Sequence, residues 1–490
     1  MKHKFNLSHT KLSSFNMGEL IPIGCEEVLP GDVFQHKVNS LIRMSPMVAP
    51  VMHPTHAQIF HFFVPNRILW DDWEDFITGG ADGNDDSEFP TITVPANSSD
   101  SHIGSLADHF GCPPSDTDYE VNALPFRAYA SIVNEYFRDQ DLQGELPLSL
   151  ESGLDDITNL EKFRQDWAKD YFTTSRPFQQ KGDTVTVPIL GSAPIFDTGS
   201  AGSRVTLFSD GENEERRLDV ASDGAISIEN ASTTSSQSLF ADMSAVTGID
   251  IVTLRQAFSE QRFKELRARF GSRYTEYLQF LGVRSDDARL QRPEYLAGGK
   301  QTIQFSEVLS SANIGSGGQN TDLGSMGGHG IGAIRSNTYR RFFKEHGFVI
   351  SLMAVKPKAI YQNGLPRKFT RTIKEDFWQR EYQHVGQQPI YNNEVFIDSS
   401  DRLGTFGYQD RYSEYRSSPS HVSGEFRTTL QYWHMARDFA SEPALNSSFV
   451  SCVPSNRIFA DQTSDQLYVM SSHNLKAKRL VTNKPKGASF

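Results

Sequence analysis

The 490-residue sequence predicts a mainly β fold, with strands toward both ends of the chain and helices in its middle. Two observations carry this reading. Stretches near each end are apolar on one or both faces of a two-residue period, whereas segments in the middle place their apolar residues at helical spacing.

Taken in order, residues 28–44 read as a turn and then a strand, because Pro30, Gly31 and Asp32 punctuate the start. Residues 56–64 (HAQIFHFFV) are apolar or aromatic on both faces, as in a strand covered on both sides or lying at an interface. A helix is predicted over 126–138, with Leu124-Pro125 leading in and Gly144 beyond its end. A second is predicted over 158–172: Thr158-x-x-Glu161 matches a capping box, and Phe163, Trp167 and Tyr171 fall on one helical face. A third, over 253–270, opens with Thr253-x-x-Gln256 and stops at Gly271. It carries the favourable pairs Glu260/Lys264 and Glu265/Arg269. Residues 347–355 and 424–433 return to strand character. Residues 191–247, rich in Ser, Thr, Gly and Asp, read as a surface segment with short strand-like pieces such as 204–208. The Gly-rich residues 310–332 read as a loop. No internal repeat or Pro-rich linker is present, so a single domain spanning 1–490 with insertions is expected.

Composition narrows the function. No run approaches the length of a membrane span, and residues 1–9 have no apolar core of a secretory signal, so a cytoplasmic site of synthesis and assembly is expected. Cys25, Cys112 and Cys452 are far apart and lack CxxC spacing, which argues for small buried side chains rather than disulfides or zinc. The 34 Phe and 16 Tyr exceed what a modest hydrophobic content of 38% suggests, and rings of this kind anchor cores and protein interfaces. The net charge of −12 conceals an asymmetry. Residues 68–126 contain no Lys or Arg but thirteen acids, from Asp71 to Glu120. The ends are basic and acid-free: Lys2, Lys4 and Lys11 at the start, and Lys476, Lys478, Arg479, Lys484 and Lys486 in a tail spanning 473–490. Solvated tails are the plain reading; contact with an anionic partner is the functional one.

Active-site patterns are nearly absent. Gly328-His-Gly-Ile-Gly-Ala333 matches a GxGxxA dinucleotide fingerprint, but a glycine-rich segment precedes it and no acidic ribose partner is evident. His53, His56 and His61 are close in sequence, yet in a strand His56 and His61 point to opposite faces, so packing and hydrogen bonding are expected rather than metal binding. The acids at 82–88 lack calcium-loop spacing and read as a solvated loop. No catalytic, cofactor-binding or metal-ligating residue is assigned.

Longer motifs carry a family resemblance. Phe5-Asn-Leu-Ser-His9, Val28-Leu-Pro-Gly-Asp32, Phe62-Phe-Val-Pro-Asn-Arg67 and Leu124-Pro-Phe-Arg-Ala-Tyr129 run in order along the first third. Asp286-Asp-Ala-Arg-Leu-Gln-Arg-Pro-Glu-Tyr295 and Phe406-Gly-Tyr-Gln-Asp-Arg-Tyr412 with Glu414-Tyr-Arg416 follow. The chain thereby resembles the major capsid proteins of microviruses, particularly those of the gokushovirus type. The resemblance implies an eight-stranded antiparallel viral jelly roll with long helical and loop insertions. It also implies a shell of about sixty copies with T=1 icosahedral symmetry around circular single-stranded DNA. Implied partners are a small basic DNA-binding phage protein, a DNA pilot protein, an internal scaffolding protein and the host cell surface; no cofactor and no membrane span are implied. Residues 191–247 are placed as the surface insertion and threefold-protrusion candidate, with Ser232, Thr233, Thr234, Ser235 and Ser236 as the host-surface loop. The basic termini become the candidates for DNA contact. Five basic residues per tail supply only about 300 charges per shell against thousands of phosphates, so other cations must contribute. The competing readings are a glycan-binding or glycan-cleaving jelly roll and a phage attachment spike; the five Trp show no clustering beyond Trp70 and Trp73 that would build a sugar platform.

Overall fold

The chain enters through four strands, β1 (His3–Asn6), β2 (His9–Phe15), β3 (Ile21–Val28) and β4 (Val33–Met44). The structure, a computed structural model, describes residues 2–80, 85–96, 103–183, 185, 251–270, 292–309 and 326–482, with the backbone of five short strands between 195 and 241. Two compact units divide it: Met1–Gln179 with Phe270–Phe490, and Gln180–Arg269.

In the larger unit β5 (Thr55–Pro65) is followed by α1 (Trp73–Thr78), β6 (Thr91–Val94), α2 (Leu106–Phe110), β7 (Tyr119–Asn122), α3 (Leu124–Ile132) and β8 (Leu154–Asp155). The smaller unit holds β9 (Ile195–Asp197), β10 (Thr206–Ser209), β11 (Glu212–Val220), β12 (Ile226–Asn230), β13 (Leu239–Ala241) and the helix α4 (Ile251–Phe270). The larger unit resumes with β14 (Glu294–Leu309), β15 (Met326–Arg335), β16 (Tyr339–Phe342), β17 (Gly347–Pro357), β18 (Gln387–Tyr391), β19 (Thr405–Asp410) and β20 (Leu467–Arg479).

One antiparallel sheet of ten strands dominates, eight of them in the continuous order β1-β20-β4-β15-β14-β5-β17-β3, with β2 and β16 alongside. Strand β14 is the corner: Glu294 to Ile303 pair with β5, and Gln304 to Leu309 pair with β15. The sheet curls so that its two halves face each other. Val38, Ile42 and Val469 from one half meet Ile21, Ile23, Ile59 and Met353 from the other in a single core. The result is the expected mainly β jelly roll with helical insertions.

Period-two alternation explains the strands with one wet face. In β4 the residues Phe34, His36, Val38, Ser40, Ile42 and Met44 are buried while those between them are open. Strands β5 and β17 are covered twice. Their second face, with Phe62, Val64, Ile350, Leu352 and Ala354, packs under α3 through Leu124, Phe126, Ala128, Tyr129 and Ile132. Each Val, Leu, Ile or Phe among them contributes about 1.5–3 kcal/mol on burial. This is why residues 56–64 read as apolar on both faces.

Four elements depart from the sequence reading. Residues 158–172 form no helix. Thr158 donates its hydroxyl to Asp155 (2.6 Å) instead of capping, and the backbone bonds other parts of the chain: Leu20 N–H donates to Phe163 O and Trp167 N–H to Val450 O. The three rings separate accordingly, Phe163 to the α3 side and Trp167 with Tyr171 to a second cluster. Residues 424–433 form no strand but two 3-10 turns, Gly424–Arg427 and Gln431–Trp433, with Gly424 at φ +69°. The glycine-rich end of 310–332 is the strand β15; residues 310–325 lie outside the described residues. Finally, the expected C-terminal tail begins as β20, with His473, Leu475 and Ala477 buried. The helix over 253–270 is present as α4, where Lys264 and Glu260 pair at 3.2 Å.

Candidate functional site

The wet face of the first half-sheet gathers the basic candidates. Lys4 of β1 is the register partner of Lys478 in β20, and Asn6 that of Lys476. Lys476 and Lys478 in turn oppose Gln35 and Val33 of β4, which oppose Arg340 and Phe342 of β16. Register partners project to the same side of a sheet. Because Leu475 and Ala477 turn into the core, Lys476 and Lys478 turn away from it. The four strands thus line a cleft of about 580 Å³ with Lys4, Lys476, Lys478, Arg340, Gln35 and Asn6, and no carboxylate lines it. Like charges this close are tolerated where water screens them, and they create a positive concavity.

The other candidates are engaged differently. Lys2 donates to the carbonyl of Gly31, at the tight turn before β4, and lies 4.7 Å over the Phe342 ring at the rim of the same surface. Arg479 pairs with Asp32 at 3.1 Å and donates to the Glu27 carbonyl. Lys11 points inward: its ammonium donates to the carbonyls of Pro22 (3.0 Å) and His109, and burial pulls its pKa down to about 8. It serves as a tie between β2, β3 and α2. Lys484 and Lys486 lie outside the described residues, as do Ser232, Thr233, Thr234, Ser235 and Ser236. Sequence reasoning missed Gln35 and Arg340, which join the site only through register; the alternation of β4 was the one signal for Gln35.

The three histidines singled out in sequence sit apart. His53 Nε2 bonds the Lys358 carbonyl at 2.8 Å, His56 lies near Thr302, and His61 is buried with its Nδ1 2.7 Å from the Ser351 hydroxyl. His61 instead joins His36 and His473 between the half-sheets. The bonding order there is forced. His473 Nε2–H donates to the Ile23 carbonyl (3.0 Å), so its Nδ1 accepts from His36 Nε2–H (3.1 Å), and His36 Nδ1 accepts from the Tyr339 hydroxyl (3.1 Å). Burial pushes the pKa values of His36, His61 and His473 down to about 3, so these three rings are neutral. Among the described residues no group of three or more His, Cys, Asp or Glu is arranged to hold a metal ion. The GxGxxA match lies within β15, not at a strand-to-helix turn, so it does not build a dinucleotide site.

The geometry thus supplies a basic cleft on one half of a jelly roll. Comparison with known proteins decides the class. The family described as capsid protein (F protein) matches residues 1–485. The chain belongs to this phage capsid protein family. Capsid protein VP1 of Bdellovibrio phage phiMH2K is 35% identical, covering 92% of this chain and 87% of that protein. VP1 of Chlamydia phage 1 is 32% identical (94% and 91% covered), and VP1 of Spiroplasma virus 4 is 31% identical (92% and 87%). This capsid protein is therefore a structural component of a microvirus-type virion and not an enzyme, and copies of it associate into a shell. No helix among its described residues is long and apolar enough to cross a membrane.

Proposed function

We propose that about sixty copies close into a T=1 icosahedral shell around circular single-stranded DNA, with the Lys4–Lys476–Lys478–Arg340 cleft turned inward onto phosphate. The observation that carries this reading is a concavity with four cations and no lining carboxylate on a member of a capsid family. Contact of this kind is sequence-independent, because ammonium groups neutralise phosphates without reading bases. The few charges per copy leave most of the genome to be neutralised by a small basic phage protein or by free cations. A DNA pilot protein and an internal scaffolding protein are the further partners proposed. The segment 191–247, within the Gln180–Arg269 unit, is proposed as the surface insertion that meets the host.

The test uses side-chain substitutions and not truncation, since removing 473–490 would also remove core residues Leu475 and Ala477. Lys476→Ala/Lys478→Ala/Arg340→Ala chains, produced with the phage partners, are expected to give intact shells with less DNA per particle. Normal shells with unchanged DNA content would sink the cleft as the contact.

A further inference from the structure

The basic cleft is one end of a larger surface. Strand pairing sets the outward residues of the first half-sheet in six rows, each about 7 Å from the next. The cleft occupies the first two: Lys4, Lys478, Val33 and Phe342, then Asn6, Lys476, Gln35 and Arg340. Asn474 opposite Lys37 makes the third, and Thr10, Ser472, Asn39 and Arg335 the fourth. Leu12, Met470, Leu41 and Ala333 form the fifth, and Ser14, Tyr468, Arg43 and Ile331 the sixth. In β4, β15 and β20 the residues between these are buried, so the rows face outward. Lys37, Arg335 and Arg43 therefore continue the cations of the cleft along the sheet, and no residue of any row is an acid. None of these cations takes part in an ion pair among the described residues. Asp465 stands at the edge of the sixth row, where the Ser14 hydroxyl donates to it (2.6 Å). The far end is apolar as well as basic. Leu12 is 77% exposed, and Met470, Tyr468 and Ile331 are open around Arg43. Tyr468 is held firmly there, because Leu467 and Val469 on either side of it are anchored in the core.

A face with cations and no acid calls for an anionic partner, and its open apolar end calls for one with flat, weakly hydrated faces. An unpaired nucleic-acid strand has both along its whole length, since its phosphates alternate with bases whose faces are free to stack. A duplex keeps those faces inside its own stack. We infer that one single strand of DNA crosses all six rows, its phosphates on the cleft, Lys37 and Arg335, its bases on Tyr468 and Met470 beside Arg43. This rests on the cleft being a phosphate contact, and adds a path and a base platform to it. Tyrosine and arginine side by side suit the platform, because a ring stacks on any base and a guanidinium plane adds a cation–π contribution. A protein partner would need carboxylates spread over about 34 Å of sheet, whereas a nucleic-acid backbone carries a charge at every nucleotide.

Binding of the full-length, unassembled subunit to a fluorescent oligothymidylate, and to a duplex of equal length, tests the track across a salt series. Tyr468→Ala/Met470→Ala removes no charge. It is expected to weaken single-strand binding about tenfold while leaving duplex binding and the salt slope unchanged. Lys37→Ala/Arg335→Ala is expected to weaken both and to reduce the single-strand salt slope by about 1.4. Tyr468→Phe keeps the ring and should bind as wild type does. All these side chains face outward, so each variant should keep the wild-type circular-dichroism melt. Wild-type affinity in Tyr468→Ala/Met470→Ala overturns the base platform, and an unchanged salt slope in Lys37→Ala/Arg335→Ala overturns the path. If Lys476→Ala/Lys478→Ala/Arg340→Ala has lost binding in that same assay, the cleft reading stands and the track alone falls. A wild-type subunit that binds neither nucleic acid removes both. Shells lost in Tyr468→Ala/Met470→Ala with single-strand affinity intact also overturn the platform, and make this face a contact with another copy or a phage protein. Ultraviolet irradiation of wild-type particles supplies a second measurement that needs no variant to fold. A nucleotide adduct on Tyr468 is expected, and adducts confined to other residues overturn the platform.

Discussion

At the residue scale, the buried histidines tie stability to protonation. His36, His61 and His473 each titrate near 3 when folded and near 6.5 when unfolded, because burial disfavours the charged ring. The unfolded chain therefore binds more protons between these values. Stability contributed by the neutral rings is complete above about pH 6.5, falls as the pH drops toward 3, and levels off below. Protonating His473 would also set two N–H donors against each other across its bond to His36. Melting of the unassembled subunit is expected to shift steadily downward from pH 7 to pH 4. His61→Leu, whose Nε2 has no hydrogen-bond partner to lose, should flatten that slope by about one proton. Arg127 and Asp155 are a second residue-scale dependency. They pair at 2.7 Å with no solvent exposure, and Arg127 also bonds the carbonyls of Leu69 and Glu151. Although burial opposes ionisation, hydrogen bonds from Thr158 and Arg127 hold the Asp155 carboxyl below its ordinary range. Asp155→Ala leaves a buried guanidinium unpaired and is expected to cost about 3–5 kcal/mol, read from the shift in denaturation midpoint.

At the element scale, β15 shows how glycine and strand coexist. Gly328, Gly330 and Gly332 alternate with His329, Ile331 and Ala333, so the glycines all face inward. A Cβ on Gly328 would lie 2.4 Å from the Ala49 carbonyl oxygen, and one on Gly330 would lie 2.6 Å from Met44 Sδ. The backbone is close to its neighbours because no side chain intervenes. Gly328→Ala is expected to destabilise by about 1–3 kcal/mol through overpacking, measured by thermal denaturation, while Ala333→Ser on the wet face should be nearly neutral. The same logic explains what sequence reading mistook. Glycine density resembled a loop because the contacts that demand glycine come from residues about 280 positions earlier in the chain. Residues 158–172 carried a helical period, yet their backbone groups find partners at Leu20, Tyr129 and Val450. Tertiary bonds overrode local propensity there.

At the scale of the whole molecule, the two half-sheets differ in what covers their outer faces. One half-sheet keeps a wet face with a basic cleft, and the other is covered by α3 and its neighbours. A shell lined by such clefts should release or loosen DNA as salt rises, since each phosphate contact displaces counterions. The host-facing proposal belongs to this scale as well. Replacing Ser232–Ser236 with glycines is expected to leave shell yield unchanged and lower attachment of particles to host cells, measured by a binding assay on intact virions. Equal attachment would move the host contact elsewhere.

What the sequence determined by itself was the class of fold, the family and the segregation of charge. Strand alternation in 28–44, double-sided apolarity in 56–64 and the motifs from Phe5 to Arg416 are local patterns, legible without the fold. The assembly of the sites was decided only in three dimensions. Lys4 and Lys478 are neighbours because β1 pairs with β20, and Arg340 joins them through β4. Lys11 carries the same charge in the sequence but turns inward to two carbonyls. Side-chain direction and strand register are set by packing against distant residues, and no local pattern encodes which distant residues those are.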